Sequence, residues 1–428
     1  MQYPDALDYL YSRLPVFHRI GPKAIKPGLG NTLALCEALG NPHLKFRSIH
    51  VAGTNGKGST SHMLAAVYQS AGYRVGLYTS PHLKSFTERI RLNGQPIDGD
   101  EVAQFVTLNQ ALIESIEPSF FEVTVAMAFD YFARQAVDVA IIEVGLGGRL
   151  DSTNVITPLA SVITNIGYDH TDVLGDTLPQ IAAEKAGIIK ARVPVIVGQT
   201  QPETEEVFRT IAQSVRAPIT WADQVYTVQD EAVQNGLRQV RVAQNGGPAY
   251  PLVLDLIGHY QLRNLVTVLA TVDVLQANFP VTLVALQRGL VSVVSLTGLQ
   301  GRFQTLQKNP RVIADTAHNQ AGLSALFETV YSLPYDTLRI IIGMVADKDR
   351  TKALATLPES AVYYFCQAQT PRSLPADQLQ TEAAQTGRTG EVYPDVNLAL
   401  MTALQEASPT DLILITGSNY TIAELINL

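Results

Sequence analysis

Val51-Ala52-Gly53-Thr54-Asn55-Gly56-Lys57-Gly58-Ser59-Thr60 is the stretch on which the reading of this chain turns. It follows a short apolar strand candidate, Ser48-Ile49-His50-Val51-Ala52, and leads into a helical pattern over 61–70. Glycines at such a junction let backbone N–H groups close around an anion, and the helix N-terminus adds the positive end of its dipole. Lys57 offers a mobile cation for outer phosphates, and Ser59 or Thr60 can turn a hydroxyl to a magnesium ion. The strict P-loop pattern, G-x-x-x-x-G-K-[ST], is not met, because Gly58 follows the lysine. Strand, glycines, lysine, hydroxyls and helix still come in the order that phosphate binding needs. The plain alternative is an ordinary glycine-rich turn with an exposed lysine.

The chain around this loop has 428 residues, a length that suggests two or three domains. A hydrophobic share of 46% allows sizeable cores, yet no apolar run is long enough to span a bilayer. The first residues show neither a basic region nor an apolar core, so no secretory signal is expected. Cys36 and Cys366 lie far apart and fit neither a zinc site nor a disulfide framework, which suits a reducing cytoplasm. The net charge of −8 argues against a nucleic-acid surface, while leaving small anionic ligands open.

Apolar strand candidates at 75–78, 137–142, 160–166 and 193–198 alternate with helical periodicity. That order predicts an α/β fold with a mostly parallel sheet covered by helices on both faces. Residues 225–255 alternate valine with polar residues and carry an Asn-Gly-Gly turn at 245–247, the pattern of a small antiparallel meander attached to the first domain. Around 295–301 periodicity fades, which marks a linker. Strand candidates at 312–314, 339–342, 361–365 and 412–415 then describe a second, smaller α/β domain. The expected division is 1–297 and 298–428.

Several residues are placed for chemistry. Glu143 ends a strand, where open parallel sheets present groups to a ligand crevice, and a carboxylate there suits magnesium. His170 closes the 161–170 segment on the same expected edge. Lys185 sits near a helix end in Ala183-Glu184-Lys185-Ala186-Gly187-Ile188-Ile189-Lys190. In the second domain Asp315, in Asp315-Thr316-Ala317-His318-Asn319, is placed to accept from ribose hydroxyls, and Arg302 can reach phosphates. Together with the loop they suggest a nucleotide held between two domains. A surface acid, a structural histidine and an ion-paired lysine are the bland readings of Glu143, His170 and Lys185.

These motifs, with Tyr78-Thr79-Ser80-Pro81-His82-Leu83, Glu88-Arg89-Ile90, residues 143–154, Gly301-Arg302-Phe303 and Thr416-Gly417-Ser418, run in order along nearly the whole chain. The set resembles the folylpolyglutamate synthase/dihydrofolate synthase family, of the bacterial bifunctional type, within the Mur ligase superfamily. The resemblance implies an N-terminal P-loop ATPase domain and a C-terminal Rossmann-like glutamate ligase domain. It implies ATP contacts at Thr54, Asn55, Gly56, Lys57, Gly58, Ser59, Asn264, Arg302, Asp315 and His318. Magnesium is implied at Ser80, Glu143, His170 and Lys185, the last as a carbamate. Lys57, His170 and Lys185 are the expected catalytic residues. The pterin-bearing substrate is expected near Ala24, Ile25, Lys26, Pro27, His82, Ser119, Phe120, Phe121, Glu122, Leu150, Asp151 and Ser152. The family's usual Asp-Gly-Ala-His-Asn-Pro reads Asp315-Thr316-Ala317-His318-Asn319-Gln320 here, and Leu299-Gln300 stands where a tryptophan is often found.

The implied reaction is ATP-dependent amide formation in the cytoplasm by a monomer acting on L-glutamate and dihydropteroate or reduced folates, with no nucleic-acid or membrane partner. His82 resembles members that use both acceptors. The alternatives are a monofunctional folylpolyglutamate synthase, a cell-wall muramyl-peptide ligase, or, from another class, a nucleotide switch that hydrolyses ATP without amino-acid dependence.

Overall fold

A computed structural model describes residues 1–26, 28–346 and 350–428, with the backbone alone for His18. The chain forms two compact units, residues 1–257 with 261–299, and residues 258–260 with 300–428.

The first unit is built on an eight-stranded sheet. Its strands are β1 (Ser48–Ala52), β2 (Val75–Tyr78), β3 (Ile90–Leu92), β4 (Gln95–Pro96), β5 (Val139–Glu143), β6 (Ala160–Ile163), β7 (Val195–Val197) and β8 (Ile219–Trp221). They lie in the order β4-β3-β2-β5-β1-β6-β7-β8, with β3 antiparallel to both its neighbours and every other pairing parallel. The expected α/β architecture is therefore present. Successive residues of β5 enter different cores: Val139 and Ile141 pack with the helix Lys57–Ser70, Ala140 and Ile142 with the helix Phe120–Arg134. A strand buried on both faces has to be apolar throughout, which is why these strands read as continuous apolar runs.

Boundaries moved for identifiable reasons. The helix after the glycine loop starts at Lys57, not at 61, because Gly56 adopts φ 86° and turns the chain directly into it. β5 starts at Val139 rather than 137, since Asp138 is occupied in pairing with Arg74, its N–H donating to the Arg74 carbonyl at 2.8 Å. β6 ends at Ile163 rather than 166, and β7 covers only 195–197. His170 consequently lies outside the strand, with φ 52°, at the start of the short helix Thr171–Leu174.

A three-stranded antiparallel sheet, β9 (Tyr226–Gln234), β10 (Leu237–Gln244) and β11 (Tyr250–Leu254), matches the expected meander and buries Val240, Val242, Leu252 and Leu254 in the core of the first unit. The second unit carries six strands, β12 (Gln304–Lys308), β13 (Arg311–Ala314), β14 (Leu338–Ile342), β15 (Val362–Phe365), β16 (Gly390–Val392) and β17 (Leu412–Thr416), ordered β12-β13-β17-β14-β15-β16. Only β12 is antiparallel. Among the described residues no helix is long and apolar enough to cross a membrane.

Candidate active site

β1 delivers the glycine loop to the carboxyl edge of the first sheet, and the helix Lys57–Ser70 carries it away. The loop is held chiefly from the segment after β6. Asn165 accepts the Thr54 N–H on its carbonyl and the Asn55 N–H on its side-chain oxygen, both at 2.9 Å, while Thr164 Oγ1 donates to the Asn55 carbonyl at 2.6 Å. From the helix Gln261–Val274, Gln261 donates to Ser59 Oγ at 3.2 Å and also accepts from Asn264 at 2.7 Å. Thr54 through Ser59 and Asn264 are thus brought together. The Lys57 ammonium lies over the loop, donating to the carbonyls of Gly53 (3.0 Å) and Thr54 (3.1 Å). A helix has no internal partner for its first N–H groups, so those of Lys57, Gly58 and Ser59 suit an anion.

Two glycines make this geometry possible. Gly53 has φ 142° and Gly56 φ 86°; a Cβ at the first collides with Thr164 Oγ1, at the second with Asn264 Oδ1. A left-handed alanine costs about 1–2 kcal/mol before any such collision. Gly56→Ala is therefore expected to weaken nucleoside triphosphate binding by about tenfold or more with the fold retained. Calorimetric titration with a non-hydrolysable analogue checks this, and an unchanged Kd would show the loop conformation to be dispensable.

Beside the loop, Glu143 is the last residue of β5 and only 4% exposed. Its Oε2 accepts the Ser80 N–H at 3.1 Å, which joins the ends of β5 and β2. His170 is half-buried, edge-on to Phe17 with ring centroids 6.1 Å apart, and its backbone N–H donates to Asp169 Oδ1 at 3.0 Å. Lys185, on the helix Leu178–Ala186, is 4% exposed. Burial and then the Lys57 cation push its pKa down to about 7, opposed by Asp169 and Asp151. A carboxylate, a hydroxyl and an imidazole beside an anion loop fit a hard divalent cation, whereas a protonated Lys185 does not. Among the described residues no three His, Cys, Asp or Glu side chains cluster as a ready-made cage. That suits magnesium, which is usually held by one or two carboxylates with phosphate oxygens and water.

The residues expected for the pterin-bearing substrate fall into connected groups. Ser119 caps the helix Phe120–Arg134: Glu122 accepts from its N–H (2.6 Å) and hydroxyl (2.8 Å). Phe120 stacks on Tyr11 (5.0 Å), and the Arg89 guanidinium lies 5.4 Å from its ring centroid. Arg89 Nε donates to His82 Nδ1 at 2.7 Å, so the His82 proton is on Nε2, which faces the Tyr11 hydroxyl at 3.4 Å. Phe121 packs on Gly145, where a Cβ would strike its ring. Leu150 is 47% exposed, while Asp151 and Ser152 are buried at the start of a short 3-10 turn. Ala24 is buried at the end of the turn Gly21–Ala24, followed by exposed Ile25 and by Lys26; Pro27 lies outside the described residues.

In the second unit Asp315 follows β13 and is buried. It accepts from the Tyr260 hydroxyl (2.6 Å), the Phe303 N–H (2.8 Å) and the Ala317 N–H (2.9 Å). Burial raises its pKa, against the pull of Tyr260 and Arg302. Arg302 donates to the Gly301 carbonyl at 3.1 Å and to the Thr316 hydroxyl. His318 Nδ1 is 3.0 Å from the Thr316 carbonyl, which makes that nitrogen the donor. The three expected residues thus gather where the 301–303 segment meets the 315–318 turn. Sequence reasoning assigned no site role to Thr164, Asn165, Gln261, Tyr11, Arg89 or Tyr260. The first three are uncharged, and nothing in their local pattern points to the loop they hold.

The Mur ligase middle domain matches residues 51–272, and the Mur ligase glutamate ligase domain matches residues 301–419. The dihydrofolate synthase/folylpolyglutamate synthase of Bacillus subtilis is 34% identical over 435 residues, covering 99% of this chain and 98% of that protein. The crystallised Escherichia coli FolC in complex with DHPP and ADP is 31% identical, with a TM-score of 0.86 over 99% of this chain and 96% of that one. A bifunctional folylpolyglutamate synthase/dihydrofolate synthase with Mn, AMPPNP and L-glutamate bound is 31% identical, with a TM-score of 0.83 over 99% and 97%.

Proposed function

The chain belongs to the folylpolyglutamate synthase/dihydrofolate synthase family of Mur ligases, and from that premise we propose that it adds L-glutamate to dihydropteroate and to the terminal glutamate of reduced folates, with conversion of ATP to ADP and phosphate. The observation that carries the reading is the phosphate loop at the half-buried N-terminus of the helix Lys57–Ser70, with Glu143 ending the strand beside it. The relatives' names and bound ligands support both acceptors; a monofunctional folylpolyglutamate synthase is the second reading. We take the enzyme to act as a cytoplasmic monomer.

A carboxylate is a poor acyl donor because its leaving group would be oxide. Transfer of the ATP γ-phosphoryl to it gives an acyl phosphate, from which phosphate leaves when the amine of glutamate attacks. The protein's part is to position the reactants and neutralise charge. Lys57 and the amides of 57–59 hold the outer phosphates, and Asn264 keeps the loop in shape. Arg302, Asp315 and His318 are assigned to the nucleotide. Ser80, Glu143 and His170 would hold magnesium, with Lys185 as its carbamate, and the ion supplies positive charge to the phosphoryl group in transfer. The pterin-bearing substrate is assigned to His82, 119–122 and 150–152, together with 24–27.

Glutamate incorporation assayed with dihydropteroate and separately with tetrahydrofolate tests the reading. Both are expected to proceed; product from tetrahydrofolate alone would make the enzyme monofunctional, and phosphate release indifferent to glutamate would make it a nucleotide switch. Glu143→Ala and His170→Ala are each expected to lower the rate and shift its magnesium dependence to higher concentration. A magnesium titration superimposable on wild type would remove that residue from the metal site.

A further inference from the structure

His50 lies in the middle of β1, fully buried, opposite Ile142 of β5 and Ser161 of β6. Its Nε2 is 2.8 Å from the Thr153 hydroxyl oxygen, and its Nδ1 has no hydrogen-bond partner. Thr153 is fully buried too, and its hydroxyl donates onward to Asp151 Oδ1. That same oxygen accepts the Thr153 N–H at 3.0 Å, and Asp151 Oδ2 accepts the Leu146 N–H at 2.8 Å. The Asp151 carboxylate thereby ties the start of the 146–153 turn to its end.

The direction of the chain follows from its members. A carboxylate only accepts, so the threonine proton goes to Asp151 and the threonine oxygen is left to accept from His50. The imidazole is neutral, with its proton on Nε2. Burial, helped by the Lys190 cation, holds its pKa down to about 3, so that form persists at ordinary pH. A buried polar atom without a partner is costly, and an aliphatic residue at this strand position would have none. The relay Nε2–H to Oγ1–H to Oδ1 offsets part of that cost. It links the strand that feeds the phosphate loop to the turn bearing Leu150, Asp151 and Ser152.

We propose that His50 is a positioning residue for the pterin-bearing substrate: through Thr153 it fixes Asp151, and through Asp151 the shape of the 146–153 turn relative to the phosphate loop. The inference rests on the functional reading above, which assigns 150–152 to that substrate.

Steady-state kinetics of His50→Ala, His50→Gln and Thr153→Val test it. The KM for dihydropteroate is expected to rise about tenfold in His50→Ala and Thr153→Val, with the KM for ATP held within about twofold. His50→Gln, whose amide can stand in for Nε2–H, is expected to recover most of the loss. Thr153→Val, which keeps the side-chain shape, decides the matter where His50→Ala fails to fold. An unchanged acceptor KM in Thr153→Val, or equal rises for both substrates, overturns the proposal. A wild-type enzyme that incorporates no glutamate overturns the functional reading instead. Nitrogen NMR of labelled histidine in the wild-type protein is independent of activity: a neutral ring protonated at Nε2 supports the relay, and a ring protonated at Nδ1 overturns it.

Discussion

Replacing Lys57 by alanine lowers the ligation rate at saturating ATP by at least about a hundredfold, the loss expected when one electrostatic contact to a reacting group is removed. The lysine is the first residue of a helix whose following turns are buried, and its ammonium is poised over the loop on the carbonyls of Gly53 and Thr54. Exchanging those carbonyls for phosphate oxygens requires only a rotation of a flexible stem. Because the side chain is partly exposed and its ammonium is held on loop carbonyls, its removal leaves no cavity in the core. Circular dichroism and the melting temperature should therefore stay near wild type. Near-normal turnover in a folded Lys57→Ala enzyme would mean that the loop does not hold the transferred phosphoryl.

Lys185→Ala is expected to cause a loss of similar size, partly rescued by a short carboxylate such as acetate. A buried ammonium facing Lys57 is unfavourable, and the pKa of about 7 reflects burial first and that cation second. A pKa so lowered leaves much of the amine neutral near pH 7, the form that reacts with carbon dioxide. The carbamate then presents oxygen, the ligand atom magnesium prefers. Crystals grown with bicarbonate should show the modified side chain. An unmodified lysine there, together with no response of the variant to acetate, would contradict the assignment.

Much of this was legible in sequence because burial on both faces leaves a distinctive trace. β1, β2, β13 and β17 sit where their apolar runs lie, within a residue or so at each end. The edge strands β12 and β16 went unread, since edges exposed to water carry polar residues and no apolar run. The tight turn at Asn235-Gly236, with φ 54° and 77°, is a hairpin signal that the sequence reading passed over in favour of 245–247. At the site, residues with a charge or in a glycine motif were readable, whereas those holding them were not. Thr164, Asn165 and Gln261 act through side-chain and backbone hydrogen bonds over separations of more than 100 residues. His50 is the extreme case, looking like a core position until Thr153 and Asp151 appear beside it.

The most direct measurement follows the oxygen atoms of the acceptor carboxylate. If that group attacks the γ-phosphorus of ATP, one of its oxygens leaves with phosphate when glutamate displaces it. Dihydropteroate labelled with heavy oxygen in its carboxylate, incubated with ATP, magnesium and L-glutamate, is expected to give one labelled oxygen in each phosphate released, in step with amide formed. Unlabelled phosphate accompanying amide would contradict an acyl-phosphate route and, with it, the role assigned to the phosphate loop.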